Sequence, residues 1–134
     1  MKSKTHAVSD RTLQKYWRIA VLKKNHNTCV ICGKIKPDSE LECHHVIRRN
    51  HRVTRHDVKN GVPVCTGDCH RMAHTEKGKA DIRDSLGASH MDYLYERENV
   101  FIKDYKIALS YSTKELEEFE LNRLKEVISR YTED

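Results

Sequence analysis

Two close cysteine pairs constrain this chain more than any other feature: Cys29-x2-Cys32 and Cys65-x3-Cys69, with 32 residues between them. Zinc is satisfied by four thiolates in a tetrahedron, and two turns that each aim a pair of sulfurs at one point supply that geometry. Thr28-Cys29-Val30-Ile31-Cys32-Gly33 reads as one such turn. Four ligands of one kind fill the shell, so the expected site is a structural Zn2+ whose binding free energy is also folding free energy. Free buried cysteines are the plainer reading, but two pairs at ligand spacing rarely arise by chance. The fifth cysteine, Cys43, reads as a strand residue packing inward.

The redox setting agrees with this. No apolar run approaches the ~20 residues needed to span a bilayer. The opening MKSKTHAVSD lacks the apolar core of a signal peptide. A reducing cytoplasm is therefore expected, where paired cysteines read as metal ligands rather than disulfides. At 134 residues, 37% of them apolar and 34% charged, the chain fits one small polar domain that benefits from a staple. The net charge is +5 and is unevenly spread: residues 113–134 carry four basic and seven acidic groups, leaving +8 on residues 1–112. That is the footprint of a polyanion binder, against the plainer reading of general solubility.

Hydrophobic spacing gives an α+β order. Ser9 or Asp10 caps a helix to about Asn25, with Leu13, Tyr16, Trp17, Ala20 and Val21 on one face. Trp17 is expected to be a core anchor. Leu41 to Ile47 reads as a strand, with Cys43 and His45 facing one way and Glu42 and His44 the other. Residues 48–60 form a polar, basic loop. Gly61 to Cys65 is a second strand, placed at an edge by Pro63. Asp68 is expected to cap a helix starting near Cys69 and carrying His70 and His74. Residues 75–100 carry no clear assignment, although Ile82, Leu86, Met91, Tyr93, Leu94 and Tyr95 are candidates to pack back on the domain. Ser112-x-x-Glu115 is a capping box opening a last helix to about Tyr131. Its stripe of Leu116, Phe119, Leu124, Val127, Ile128 and Tyr131 is expected to dock on the domain or to form a dimer contact.

Four of the nine histidines flank these cysteines. Adjacent strand residues point to opposite faces, so His44 and His45 are expected to divide their labour. One can hold a metal while the other faces a substrate. His70 and His74, four apart on a helix, form a metal clip. If His44 meets that clip, three neutral imidazoles hold one divalent ion and leave positions open for water and phosphate. A second structural zinc, or plain surface histidines, are the competing readings.

Taken together, Cys-x2-Cys, Leu41-Glu42-Cys43-His44-His45-Val46-Ile47, Asn60-Gly61-Val62-Pro63-Val64-Cys65 and Cys69-His70-x3-His74 resemble the HNH (His-Me finger) nuclease family in its four-cysteine, phage or mobile-element form. The resemblance covers about residues 10–75. It departs in the second cysteine pair, which here has three intervening residues where two are common.

The resemblance implies a ββα-metal core within a domain over 1–100 (core about 10–76), with a C-terminal helical extension over 101–134. It implies His44, His70 and His74 around one divalent ion (Mg2+, Mn2+, Zn2+ or Ni2+), His45 as the general base that activates water, and Asn60 orienting that base or its loop. The implied activity is DNA phosphodiester hydrolysis, by nicking or double-strand cleavage, leaving 5′-phosphate and 3′-hydroxyl ends. Arg48, Arg49, Arg52, Arg55, Lys59 and Arg71 are candidates for phosphate contact, giving affinity that falls steeply with salt but no base code. His51 and His56 are expected at the surface or facing phosphate. A non-catalytic zinc module that only binds DNA is the alternative.

Overall fold

The structure, a computed structural model, describes residues 8–132. It is mixed helix and strand: six α-helices and a two-stranded antiparallel sheet among the described residues. Helix α1 spans Asp10–Lys24. Ser9, not Asp10, caps it, its hydroxyl accepting the Thr12 N–H at 3.1 Å. Leu13, Trp17, Ala20, Val21 and Leu22 are its buried residues, one stripe at helical spacing. His26 and Asn27 end it with positive φ of 53° and 52°. The chain then folds back through a Thr28–Ile35 bridge around the first cysteine pair.

Strand β1 (Leu41–His45) pairs with β2 (Gly61–Cys65), setting His44 opposite Val62 and His45 opposite Gly61. The expected alternation holds. Cys43 donates its thiol to the Arg18 carbonyl on α1, and His45 stacks on Trp17 of the same helix. Glu42 and His44 face the other way, toward His70 and His74. The strand is two residues shorter than its pattern suggests. The side-chain oxygen of Asn60 takes the Ile47 N–H at 2.6 Å, so the ladder stops at His45. Pro63 has no N–H for the sheet, but its carbonyl accepts from Val30 at 2.9 Å and ties the cysteine turn to β2.

Helix α2 (Asp68–Ala73) begins one residue earlier than expected. Gly67 (φ 89°) is the cap residue, and Asp68 lies in the first turn and pairs with Arg71 instead of capping. The unassigned stretch after it forms α3 (Glu76–Leu86) and α4 (Ala88–Glu98). Thr75 caps α3, its hydroxyl accepting the Gly78 N–H at 3.0 Å. Gly78 permits close packing of α3 on the end of α2, because a Cβ there would lie 1.8 Å from the Met72 carbonyl oxygen. Met91 and Leu94 of α4 pack with Ile47, as expected of a segment that returns to the domain.

A short α5 (Ile102–Leu109) precedes α6 (Thr113–Thr132). The Ser112–Glu115 box is reciprocal: Ser112 Oγ accepts the Glu115 N–H at 3.2 Å, and Glu115 Oε1 accepts the Ser112 N–H at 2.9 Å. The α6 stripe docks on α1, where Leu124, Val127 and Ile128 join Leu13 and Trp17 in one cluster. No helix among the described residues is long and apolar enough to cross a membrane.

Gly61 is required by close approach rather than by φ. A Cβ there would meet Trp17 Cζ2 and Val21 Cγ2, each at 2.6 Å. Overpacking of this kind typically costs about 1–3 kcal/mol. Gly61→Ala is therefore expected to lower the denaturant midpoint by an amount in that range at constant zinc, and an unchanged midpoint would mean that Trp17 yields freely.

Candidate metal and histidine centres

The four sulfurs of Cys29, Cys32, Cys65 and Cys69 all lie within 4.8 Å of one another. Cys32 Sγ and Cys65 Sγ are 3.6 Å apart. The backbone turns to serve the sulfurs: the N–H groups of Cys32 and Cys65 both donate to Cys29 Sγ at 3.4 Å, and Gly33, with φ 76°, closes the first turn. Burial works against a Cys29 thiolate, but these N–H donors outweigh it and bring the thiol down to about 7. Burial and the crowding of neighbouring sulfurs push Cys65 up to about 11 and Cys69 up to about 12. A divalent cation among them removes that conflict, and the soft, four-thiolate set suits zinc. Cys43 stands apart as a half-buried thiol, pushed up to about 12 chiefly by burial.

The same four sulfurs bind three elements together: the turn after α1, the end of β2 and the start of α2. The histidines ride on this frame. His44 at the end of β1 meets His74 at the end of α2, with ring centroids 5.0 Å apart at 79°. His70 lies 5.1 Å from His74. His74 is the residue after the last helical turn rather than a member of it. The three rings form a chain of neighbours centred on His74. Among the described residues, only the cysteines gather their donor atoms to within 4.8 Å. Glu42 Oε2 stands 3.8 Å from His70 Nδ1. Burial first, then the charges of His74, His70, His45 and Lys79, pull His44 down to about 4, so its imidazole is neutral and available as a donor.

His45 is held differently. Its ring lies flat on Trp17, with centroids 4.1 Å apart and planes 9° off parallel. Its Nε2 is 3.1 Å from the Arg55 carbonyl. A carbonyl only accepts, so Nε2 carries the proton and Nδ1 keeps its lone pair. Burial lowers the ring's pKa below the ordinary imidazole value, and the Arg55 hydrogen bond works the other way. Trp17 is fixed in turn by donating its Nε1–H to the Asp57 carbonyl at 2.9 Å.

The loop that supplies the Arg55 carbonyl is clamped by Asn60, which is fully buried. Its oxygen accepts from Ile47 N, and its amide donates to Ile47 O at 3.0 Å and Thr54 O at 3.1 Å. Arg52 anchors the other side of the loop through a bidentate pair with Glu120 of α6, both bonds 2.9 Å.

A cleft of about 520 Å3 opens beside this loop, lined by His44, His45, His70, His74, Arg48, Arg49, Lys79, Arg83, Met91 and Tyr95 among others. Of the six basic residues expected to meet phosphate, Arg48 and Arg49 line it. Arg49 also pairs with Asp10 at 2.7 Å. Arg52 is committed to Glu120. Arg55 donates to the Arg49 carbonyl and pairs with Asp10. Lys59 covers the Tyr93 ring at 4.6 Å, and Arg71 pairs with Asp68. His51 is half-exposed near Glu98. His56, expected at the surface, is instead buried: its side chain is fully enclosed, Asp10 Oδ1 is 3.4 Å from Nε2, and burial and the Arg52 charge pull it down to about 3.

Sequence reasoning missed the platform role of Trp17, the Glu42–His70 approach, and Lys79 and Arg83. Strand alternation held the signal for Glu42. The last two needed α3 to be assigned first. The chain matches no protein-family model, no curated protein and no solved structure.

Two outcomes follow from this geometry. Structural zinc in small domains contributes on the order of 10 kcal/mol, comparable to the whole stability of a domain. Cys69→Ser is therefore expected to lose bound zinc, measured by elemental analysis, and to be largely unfolded by circular dichroism. Asn60→Asp keeps an acceptor for Ile47 N but sets a carboxylate against two buried carbonyls. A loss of roughly 2–4 kcal/mol in chemical denaturation is expected.

Proposed function

We propose that this chain is a metal-dependent DNA endonuclease of the HNH (His-Me finger) kind, built on a ββα-metal core of β1, β2 and α2. The observation that carries the reading is His45: a neutral imidazole locked in one tautomer, flat on Trp17, in one cleft with three further imidazoles and three arginines. Binding alone needs no such base.

Hydrolysis of a phosphodiester requires a nucleophile, in-line approach and relief of charge at the leaving oxygen. His45 Nδ1 takes a proton from water as the water oxygen bonds to phosphorus and the bond to the 3′ oxygen breaks. The departing 3′ oxyanion takes a proton from solvent and His45 later releases its own to solvent, leaving a 5′-phosphate and a 3′-hydroxyl. The Arg55 carbonyl holds the ring in the reactive tautomer and steadies the imidazolium that forms. Asn60 holds the loop bearing that carbonyl, so it is a positioning residue. Arg48 and Arg49 neutralise flanking phosphate oxygens. His44, His70 and His74 would hold one divalent ion, which when bound supplies Lewis-acid stabilisation of the phosphate and of the leaving oxygen. Imidazole donors suit Zn, Ni, Co or Mn, whereas Mg prefers oxygen. The cysteine cluster would hold a second, structural zinc that leaves no position open for chemistry.

A zinc-stabilised module that binds DNA without cutting it is the second reading. It draws on the imidazole donors being less tightly gathered than the sulfurs.

One assay separates them. Purified protein is expected to nick supercoiled plasmid with at least one of Mn2+, Mg2+, Zn2+ or Ni2+. His45→Ala is expected to lower the rate by about 10²–10⁴-fold, the usual worth of a general base, with DNA binding and bound zinc retained. Equal rates for the two proteins would place the base elsewhere or reveal a contaminant. Binding without cleavage in every metal would favour the module, and neither binding nor cleavage would sink both readings.

A further inference from the structure

The cleft has two basic walls, and only one of them belongs to the loop between the strands. Arg48 and Arg49 follow β1, while Lys79 and Arg83 project from α3, which lies outside the cysteine-braced core. Lys79 and Arg83 are four apart on one helical face, with Ile82 buried beside them. Both side chains are exposed, and neither forms an ion pair among the described residues. Lys77, two residues before Lys79, does not line the cleft and is paired with Asp81 at 3.1 Å.

The placement of α3 is rigid. Gly78 brings the helix against the Met72 carbonyl at a distance no side chain permits, and Thr75 caps it directly after His74. Lys79 is thus fixed relative to the histidines with which it lines the cleft. A helix welded to the histidine-bearing element, with two unpaired cations turned into the same cleft, has the form of a backbone clamp.

We propose that Lys79 and Arg83 are a second phosphate-binding wall, gripping the DNA backbone from α3 while Arg48 grips it from the loop after β1. The proposal rests on the nuclease reading for its ligand. It gives α3 the work of fixing the strand's path past the histidines, which the loop arginines cannot do alone because Arg49 is shared with Asp10 and Arg52 is held by Glu120. Phosphate contacts carry affinity and register rather than base identity, so the wall would act alike on all sequences.

The test uses the zinc-loaded full chain and a labelled DNA duplex, with binding followed by fluorescence anisotropy over a range of KCl concentrations. Removing one phosphate-neutralising cation lowers the slope of log affinity against log salt by about 0.9. Lys79→Ala/Arg83→Ala is expected to bind about tenfold more weakly at low salt and to reduce that slope by roughly 2. In the nicking assay its KM should rise with kcat nearly unchanged. Lys77→Ala/Lys114→Ala removes the same charge from outside the cleft and is expected to leave the slope close to wild type. Equal slopes for wild type and Lys79→Ala/Arg83→Ala would overturn the wall while leaving the nuclease intact. So would an equal reduction in the two double variants, since that would be a net-charge effect. If weakening appears with an RNA duplex and not with DNA, the assignment to DNA is overturned. Wild-type protein that binds no DNA at all removes the nuclease reading and the wall together, and the wild-type titration alone reports that outcome.

Discussion

Four sulfurs within 4.8 Å of one another determine where everything else in this molecule stands. They join a turn after α1, the last residue of β2 and the first turn of α2, around which Cys29, Val62, Val64 and Ala73 pack in one apolar cluster. A two-stranded sheet is marginal in water without such help. Cys29, almost fully buried, is the pivot, because two backbone N–H groups already donate to its sulfur. The cluster is thus an electrostatic centre with oriented dipoles that favour negative charge, and a cation is what lets all four thiols shed their protons together. Because α2 starts inside this cluster, the positions of His70 and His74 are set within one to five residues of a fixed point.

A second layer of restraint acts on the loop between the strands, and it reaches the C-terminal helix. Asn60 closes the loop at its base with three hydrogen bonds. Arg52 and Glu120 close its flank, and Trp17 meets it through the Asp57 carbonyl. The Arg55 carbonyl that fixes the His45 tautomer lies one peptide from the Thr54 carbonyl held by Asn60. Helix α6 therefore belongs to the support of the histidine cleft, since it both covers α1 through Leu124 and carries the carboxylate that pins Arg52. Burial drives Glu120 above the ordinary carboxylate range even though Arg52 opposes this, which marks the pair as a partly desolvated contact rather than a surface one.

Local rules carry much of this architecture. The Cys-x2-Cys turn, the Ser9 cap, the Ser112–Glu115 box and the opposite facing of His44 and His45 each follow from a few neighbouring residues and survive in the structure. What escapes local reading depends on contacts distant in sequence. Strand β1 stops early because a side chain 13 residues on replaces its ladder partner. His56 looks like a surface residue in a run of charges, yet α6 and the Asp10 end of α1 enclose it. Arg52 reads as one basic group among several until Glu120, 68 residues away, claims it. The cleft's second wall is hidden because α3 lacks a clean apolar stripe and is placed by Gly78 and Thr75, one of which looks like a helix breaker.

One electrostatic field links the cleft's chemistry to its charge. An imidazole that must donate a lone pair, whether to a proton or to a metal, has to be neutral. Burial keeps His44 and His45 neutral first, and neighbouring cations reinforce it: Lys79 acts on His44, and Arg49 and Arg55 on His45. Arg48, Arg49, Lys79 and Arg83 give the cleft a basic lining with no acidic side chain in it among the described residues, and a positive, partly enclosed cleft draws in polyanions from a distance. In the proposed nuclease, an arriving phosphate would relieve the repulsion among those cations and raise the proton affinity of His45 as it takes a proton. There, base strength and substrate affinity would be coupled through Arg49, which acts on His45, whereas Lys79, whose charge reaches His44 and not His45, would act on binding.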